Sequence, residues 1–255
     1  MSVKRIAMIT GASSGIGAAT ALGLADAGYD LILTARRADR LDEVAADVRS
    51  RGVRVLPLLF DVRSEREVET AIQSLPETWR NISVLVNNAG LALGMAPIDQ
   101  GNPLHWETMM DTNVKGLLHV TRFVLPLMPR DGSGHIVNIG SIAGKQVYAN
   151  GAVYCASKFA VDALTQGMRI DLAHIPIRVG SVCPGAVETE FSLVRFEGDA
   201  NRATAVYRGF ENLVAADVAE AVCWMISRPQ HVNINDMVIM PVAQPNAVTI
   251  HRNTE

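Results

Sequence analysis

The chain has 255 residues, 49% of them hydrophobic, with 23 basic side chains against 26 acidic ones. That is enough apolar material for one large domain, and the slight acidic excess excludes the basic footprint of a nucleic-acid binder. Three cysteines, Cys155, Cys183 and Cys223, fit neither a disulfide framework nor a zinc site, which points to a reducing compartment.

Met1–Ile9 carries two basic residues but no long apolar stretch before a glycine-rich turn. It reads as a buried strand, not a secretory signal. No apolar run reaches membrane-spanning length. The expected protein is soluble and cytoplasmic, with neither a membrane nor a nucleic acid as partner.

Short runs rich in Val, Ile and Leu recur along the chain at Arg5–Thr10, Asp30–Ala35, Arg54–Phe60, Ile82–Asn87, Gly134–Ile139, Ile177–Cys183 and Met237–Pro241. Such runs suit parallel strands buried on both faces. Helical patterns separate them: Ile16–Ala27, Ala38–Arg51, Glu65–Leu75, Leu104–Leu127, Ala152–Ala173 and Ala216–Ser227. Asp39, Ser64, Asn102 and Asp217 are candidate helix caps, and Pro126 should end or kink the long helix before it. The alternation predicts an α/β fold. It is a single domain over residues 1–255, a doubly wound parallel sheet of the Rossmann type with about seven strands and helices on both faces. The stretch 186–212 breaks the pattern and is the candidate substrate lid. The tail 243–255 has few apolar anchors and is expected to be frayed or docked on a neighbouring subunit.

The first strand runs into Thr10-Gly11-Ala12-Ser13-Ser14-Gly15-Ile16-Gly17. A glycine-rich turn between a first strand and a helix cradles phosphate: glycines allow the tight turn and the close approach, and the helix N-terminus supplies N–H groups. A fold that prefers NAD places an acidic residue at the end of the second strand to hold the ribose 2′-hydroxyl. Here Ala35 stands there, followed by Arg36 and Arg37, a pair suited to the 2′-phosphate of NADP. Asp61 and Val62, at the end of the third strand, are candidates to contact the adenine, and an Asp there is equally suited to cap a helix.

Tyr154 and Lys158 are four residues apart, hence on one helical face. A phenol with a pKa near 10 is a poor base at neutrality, and a neighbouring ammonium lowers it. The pair therefore makes sense as a proton-transfer unit. Ser141 follows a strand end, Asn113 sits within a helical pattern, and Asn88-Ala89-Gly90 follows the fourth strand. Strand C-termini are where doubly wound folds bind ligands. The six histidines lack metal-ligand spacing, so no metal is expected, and each reads as a surface or locally bonded residue.

Together, Thr10–Gly17, Asn87–Gly90, Asn113, Ser141, Tyr154–Lys158 and Pro184-Gly185 resemble the short-chain dehydrogenase/reductase family, in the family's order and over essentially the whole chain. The resemblance implies an NADP(H)-dependent oxidoreductase. In it Tyr154 is the general acid/base, and Lys158 holds the nicotinamide ribose and lowers the tyrosine pKa. Ser141 bonds the substrate oxygen, and Asn113 positions a water in a proton relay to Lys158. It also implies that Asn88, Ala89 and Gly90 line the cofactor and that Pro184, Gly185, Val187 and Thr189 flank the nicotinamide. Family members are usually homodimers or homotetramers, and a homotetramer is the expectation.

Several stretches are most similar to the NADP-dependent 3-hydroxy acid (serine/allo-threonine) dehydrogenase branch: Leu75–Ile82, Asn88–Met95, Glu190–Asp199 and His231–Asn235. The loop near Glu188 and the tail after Gln244 depart from it. Arg195, in the presumed lid, is the candidate anchor for an anionic head group, with Tyr148 and Gln244 as helpers. An arginine anchor and a tyrosine acid define a spacing that fits a 3-hydroxy acid and its semialdehyde. It also fits sulfoacetaldehyde and isethionate, the substrate pair of sulfoacetaldehyde reductases. A non-catalytic NADPH sensor would be expected to have lost Tyr154 or Lys158, and both are present.

Overall fold

A computed structural model describes residues 5–253. Met1–Lys4 of the expected N-terminal strand and Thr254–Glu255 of the expected tail lie outside the described residues. Seven strands form one parallel sheet: β1 (Ile6–Thr10), β2 (Asp30–Ala35), β3 (Val55–Leu59), β4 (Ile82–Asn87), β5 (His135–Ile139), β6 (Arg178–Pro184) and β9 (Asp236–Ile239). Their spatial order is β3-β2-β1-β4-β5-β6-β9. The chain therefore winds outward from β1 in one direction, then returns to β4 and winds the other way. The crevice beyond the β1 and β4 C-termini is the switch point where such sheets bind ligands.

Two cores sandwich the sheet. Helices α1 (Gly15–Asp26), α2 (Ala38–Arg49) and α9 (Ala215–Ile226) pack on one face, through Leu24, Leu41, Val48, Val222 and Met225. On the other lie α3 (Glu65–Gln73), α5 (Gly116–Val124) and α6 (Ala152–Asp171), through Val68, Ile72, Val120, Val124 and Leu172. Leu41, Ala45 and Val48 show why α2 forms: three apolar residues at helical spacing are buried while the charged face stays in water. Ser64 caps α3 by accepting from Glu67 N, and Asn102 caps α4 (Pro103–Met110) by accepting from Leu104 N. Asp39 and Asp217 lie inside their helices' first turns instead; Asp217 accepts from Val214 N at 2.7 Å.

The single helix expected over 104–127 is divided. Between α4 and α5, Asp111–Lys115 forms a π-helical turn, and Leu125–Leu127 tightens to 3-10 geometry at Pro126. The stretch 186–212 is not irregular. β7 (Val187–Glu188) pairs with β8 (Leu213–Val214) as a two-residue stem. Above it stand α7 (Phe191–Arg195) and α8 (Ala200–Tyr207). The tail docks on its own chain: Arg252 donates to the carbonyls of Arg208 and Val206 at the end of α8, and Asn253 N bonds Gly209 O at 2.7 Å.

His135 is a second departure. It is fully buried in the interior strand β5, neither ring nitrogen finds a partner, and burial drives its pKa down to about 3. The three cysteines are free, and Cys155 and Cys183 are buried. No helix of the described residues is long and apolar enough to cross a membrane.

Candidate active site

A cavity of about 870 Å³ opens at the switch point. All the residues proposed from sequence for the site line it except Gly17 and Asn113. Gly17 shapes the cradle from behind: a Cβ there would lie 2.4 Å from Gly11 O and 2.5 Å from Asn88 Nδ2. Gly11 has φ +66°, and its own Cβ would strike Ala89 Cα at 2.9 Å. The turn is held down by Thr10 and Asn88. Asn88 Nδ2 donates to Thr10 O (2.8 Å) and Gly11 O (3.1 Å), and Thr10 Oγ1 accepts from the backbone N–H groups of Asn88 and Ala89. So Asn88 fastens the cradle, while the first turn of α1 leaves N–H groups without helical acceptors facing the cavity.

The two arginines after β2 diverge. Arg37 points back over the turn, its Nη2 donating to Ser13 Oγ (3.2 Å) and Ser14 Oγ (2.9 Å). Arg36 points toward Asp61, 3.6 Å away. Asp61 is taken up chiefly by Arg63, whose backbone N and side chain both donate to it.

The chemistry-bearing residues meet above the ends of β5 and β6. Ser141 Oγ accepts from Ala143 N at 3.1 Å, which leaves its own proton free to donate. α6 carries Tyr154 and Lys158 on its buried face. Lys158 Nζ donates to Ile139 O at 2.9 Å, and burial lowers its pKa to about 8. Burial pushes the Tyr154 phenol well above its ordinary value; neighbouring Tyr148 adds to this. The groups pulling it down are Ser141, through a hydrogen bond, and the Arg195 guanidinium. Lys158 is not among the groups that shift the phenol in this structure. The largest influence on it is desolvation of the buried phenol, which favours the protonated form.

Asn113 lies on the π turn, buried. Its side chain brackets Leu91, accepting from Leu91 N and donating to Leu91 O, both at 2.8 Å, and it donates to Ser157 Oγ at 2.9 Å. These bonds clamp the segment beyond Gly90 to α6. π turns recur at such functional positions.

Arg195, the last residue of α7, does reach the tyrosine. Its guanidinium carbon lies 5.7 Å from the Tyr154 ring centre and 5.5 Å from that of Tyr148. Nε donates to Gly94 O, while Nη2 is buried without a partner. Gln244 lines the cavity with its carbonyl oxygen committed to Ala186 N at 2.8 Å. Through that oxygen it braces the turn after Pro184 and Gly185; an anion would call on its amide N–H donors instead.

Sequence reasoning missed several participants. Phe191 meets the Tyr154 ring edge-on at 5.7 Å. Ser157 anchors Asn113. Glu190 and Arg40 join Arg37 in a charged cluster. Only Ser157, lying between Tyr154 and Lys158, carried any signal, and it was a weak one.

Residues 5–199 match the family model for short chain dehydrogenases, and the chain belongs to that family. It is 47% identical to sulfoacetaldehyde reductase 2 of Chromohalobacter salexigens, over 94% of this chain and 95% of the relative. It is 44% identical to the NADP-dependent 3-hydroxy acid dehydrogenase of Escherichia coli K12, over 97% and 99% respectively. A closed form of serine dehydrogenase complexed with NADP+ superimposes with a TM-score of 0.91 at 43% identity, covering 97% of this chain and 100% of that one.

Proposed function

We propose that the protein is an NADP(H)-dependent dehydrogenase/reductase interconverting a hydroxyl and a carbonyl on a small anionic substrate, a 3-hydroxy acid and its semialdehyde. The observation that carries the anionic substrate is Arg195: a half-buried guanidinium between the Tyr148 and Tyr154 phenols whose Nη2 is itself buried with no hydrogen-bond acceptor within reach. A buried, unpaired donor on a cation is costly, and an acid group of the substrate would satisfy it bidentately.

The cavity fits the cofactor. The Gly11–Gly17 turn with the α1 N-terminus would take the pyrophosphate. Arg37, with Arg36 beside it, would take the 2′-phosphate, and Asp61 and Val62 would border the adenine. Lys158 would bond the nicotinamide ribose, and Pro184–Thr189 would border the nicotinamide. Bound NADP(H) supplies or accepts the hydride. The rest is done by the chain's own groups. Tyr154, protonated, gives its proton to the carbonyl oxygen, and Ser141 donates to the same oxygen. Lys158, below its pKa, places positive charge beside the site, while Asn113 holds the Gly90–Leu91 backbone in place. Arg195 and Tyr148 orient the anion, and α7 and α8 cover it from water.

A sulfonate substrate is the second reading, favoured by the likeness to the sulfoacetaldehyde reductase of Chromohalobacter salexigens. The test is NADPH oxidation with malonic semialdehyde and with sulfoacetaldehyde, each repeated with NADH. Preference for the first supports the 3-hydroxy acid reading, preference for the second replaces it, and turnover of neither overturns the small-anion assignment. We further propose a homotetramer, supported by apolar side chains exposed on α4 to α6, Leu104, Leu118, Phe159 and Ile170. Light scattering after size exclusion tests it, and a monomer would end it.

A further inference from the structure

Glu190 stands where the lid leaves the cofactor cradle, one residue before α7. Its Oε2 accepts from Arg37 Nη1 at 3.0 Å and Nη2 at 3.1 Å, and its Oε1 accepts from Arg40 Nη2 at 3.2 Å. The same Arg37 Nη2 donates to Ser13 Oγ and Ser14 Oγ of the glycine turn. A carboxylate thus occupies the fork of the guanidinium that faces the phosphate cradle, at the end of β2, where dinucleotide folds read the ribose 2′ position. The second strand offers no acid of its own there, since Ala35 fills that place. Arg37 and Glu190 line the cavity and remain 47% and 37% exposed, so a ligand can reach both.

A carboxylate and a phosphate make the same bidentate demand on a guanidinium, and one Arg37 fork cannot serve both fully. A 2′-phosphate placed there would also meet the negative charge of Glu190. A cofactor with a bare 2′-hydroxyl brings no such charge.

We propose that Glu190 is a specificity-determining residue that competes with the cofactor's 2′-phosphate for Arg37 and so limits the preference for NADP(H) over NAD(H). This rests on the NADP(H) reading above. Arg40 holds the second carboxylate oxygen, so that Glu190 swings toward Arg40 as the phosphate takes Arg37.

The test measures dissociation constants of NADPH, NADH and 2′,5′-ADP by titration calorimetry for the wild type, Glu190→Gln and Glu190→Asp, with thermal melts to confirm folding. Removing the charge should tighten NADPH and 2′,5′-ADP about fivefold at low salt, as expected for one exposed ion pair. NADH should be little changed, and the gain should shrink in high salt. Glu190→Asp keeps the charge and should keep the wild-type ratio of NADPH to NADH affinity. An unchanged ratio in Glu190→Gln, or NADPH and NADH weakened together, would show a structural brace and overturn the proposal. Failure of the wild type itself to bind NADPH would instead overturn the NADP(H) reading, so the two failures are distinguishable.

Discussion

Ser157 Oγ donates to the Tyr154 carbonyl at 2.7 Å while accepting from Asn113 Nδ2 at 2.9 Å. One hydroxyl on α6 therefore couples the helix that carries the phenol to the π turn that fixes Gly90 and Leu91. Asn113→Ala removes three buried hydrogen bonds at once. We expect kcat to fall at least about tenfold, with destabilisation of about 2 kcal/mol or more. Ser157→Ala removes two hydrogen bonds but leaves Asn113's pair to Leu91 in place, and should cost less. Steady-state kinetics and denaturant melts on both variants check the order; equal effects would break the link between the two residues.

Tyr154→Phe should lower kcat by about 10²–10⁴-fold, the usual worth of a positioned acid. NADPH binding should persist, because the cradle, Arg37 and Lys158 are untouched. Fluorescence titration of NADPH reads the second half, and lost binding would move Tyr154 from proton transfer to cofactor support.

The lowered pKa of Lys158, about 8, gives the reduction a pH limb. Below pH 8 the ammonium is present beside the site; above it the amine is neutral and its field is gone. The kcat/KM for carbonyl reduction should therefore fall as pH rises through about 8, and Lys158→Met should lack the limb and run slower throughout. A profile flat to pH 10 would mean that burial does not set this lysine's charge.

His135 ties stability to pH. Its folded pKa, about 3, lies below the ordinary 6.5, so the unfolded chain binds the extra proton in between. Stability is then whole above pH 6.5 and is lost as pH falls toward 3, by about 1.4 kcal/mol for each pH unit. Urea melts between pH 7 and 4 should show this slope, and His135→Leu should flatten it. A wild-type slope retained in the variant would assign the effect to carboxylates.

The parts of this molecule that were legible in the sequence are those where local pattern and tertiary role coincide. β2 and β4 run over Asp30–Ala35 and Ile82–Asn87 as expected, because a strand buried on both faces must be apolar along its length. The cradle was legible because only glycine tolerates Gly11's φ and Gly17's contact. The π turn was not, since Asp111–Lys115 holds no breaker; it coincides with Asn113's bonds to Leu91 and Ser157, which are distant in sequence. Helices α7 and α8, five and eight residues long, are too short to print a helical period. Adjacent Arg36 and Arg37 looked equivalent, and only the fold sends one to the turn and the other to Asp61. His135 could not be told from a surface histidine, because nothing local records that β5 lies inside the sheet, covered on both faces.

Arg195→Ala should raise KM for anionic substrates while leaving a neutral small aldehyde, a poor substrate at best, little affected. The guanidinium touches Gly94 O by one bond and the faces of Tyr148 and Tyr154 by stacking, so its loss removes the charge without dismantling the cradle. A charge-assisted bidentate contact is worth several-fold to a hundredfold in affinity, and we expect KM to rise by about 10–100-fold. Arg195→Lys restores the charge but not the fork, and should recover only part of it. The variant also relieves Tyr154 of a positive neighbour that holds its pKa down, so kcat should respond through the phenol as well. Measuring KM and kcat separately for charged and neutral substrates distinguishes the two roles. An unchanged KM for the anion would take Arg195 out of substrate binding and leave it as a brace between α7 and Gly94.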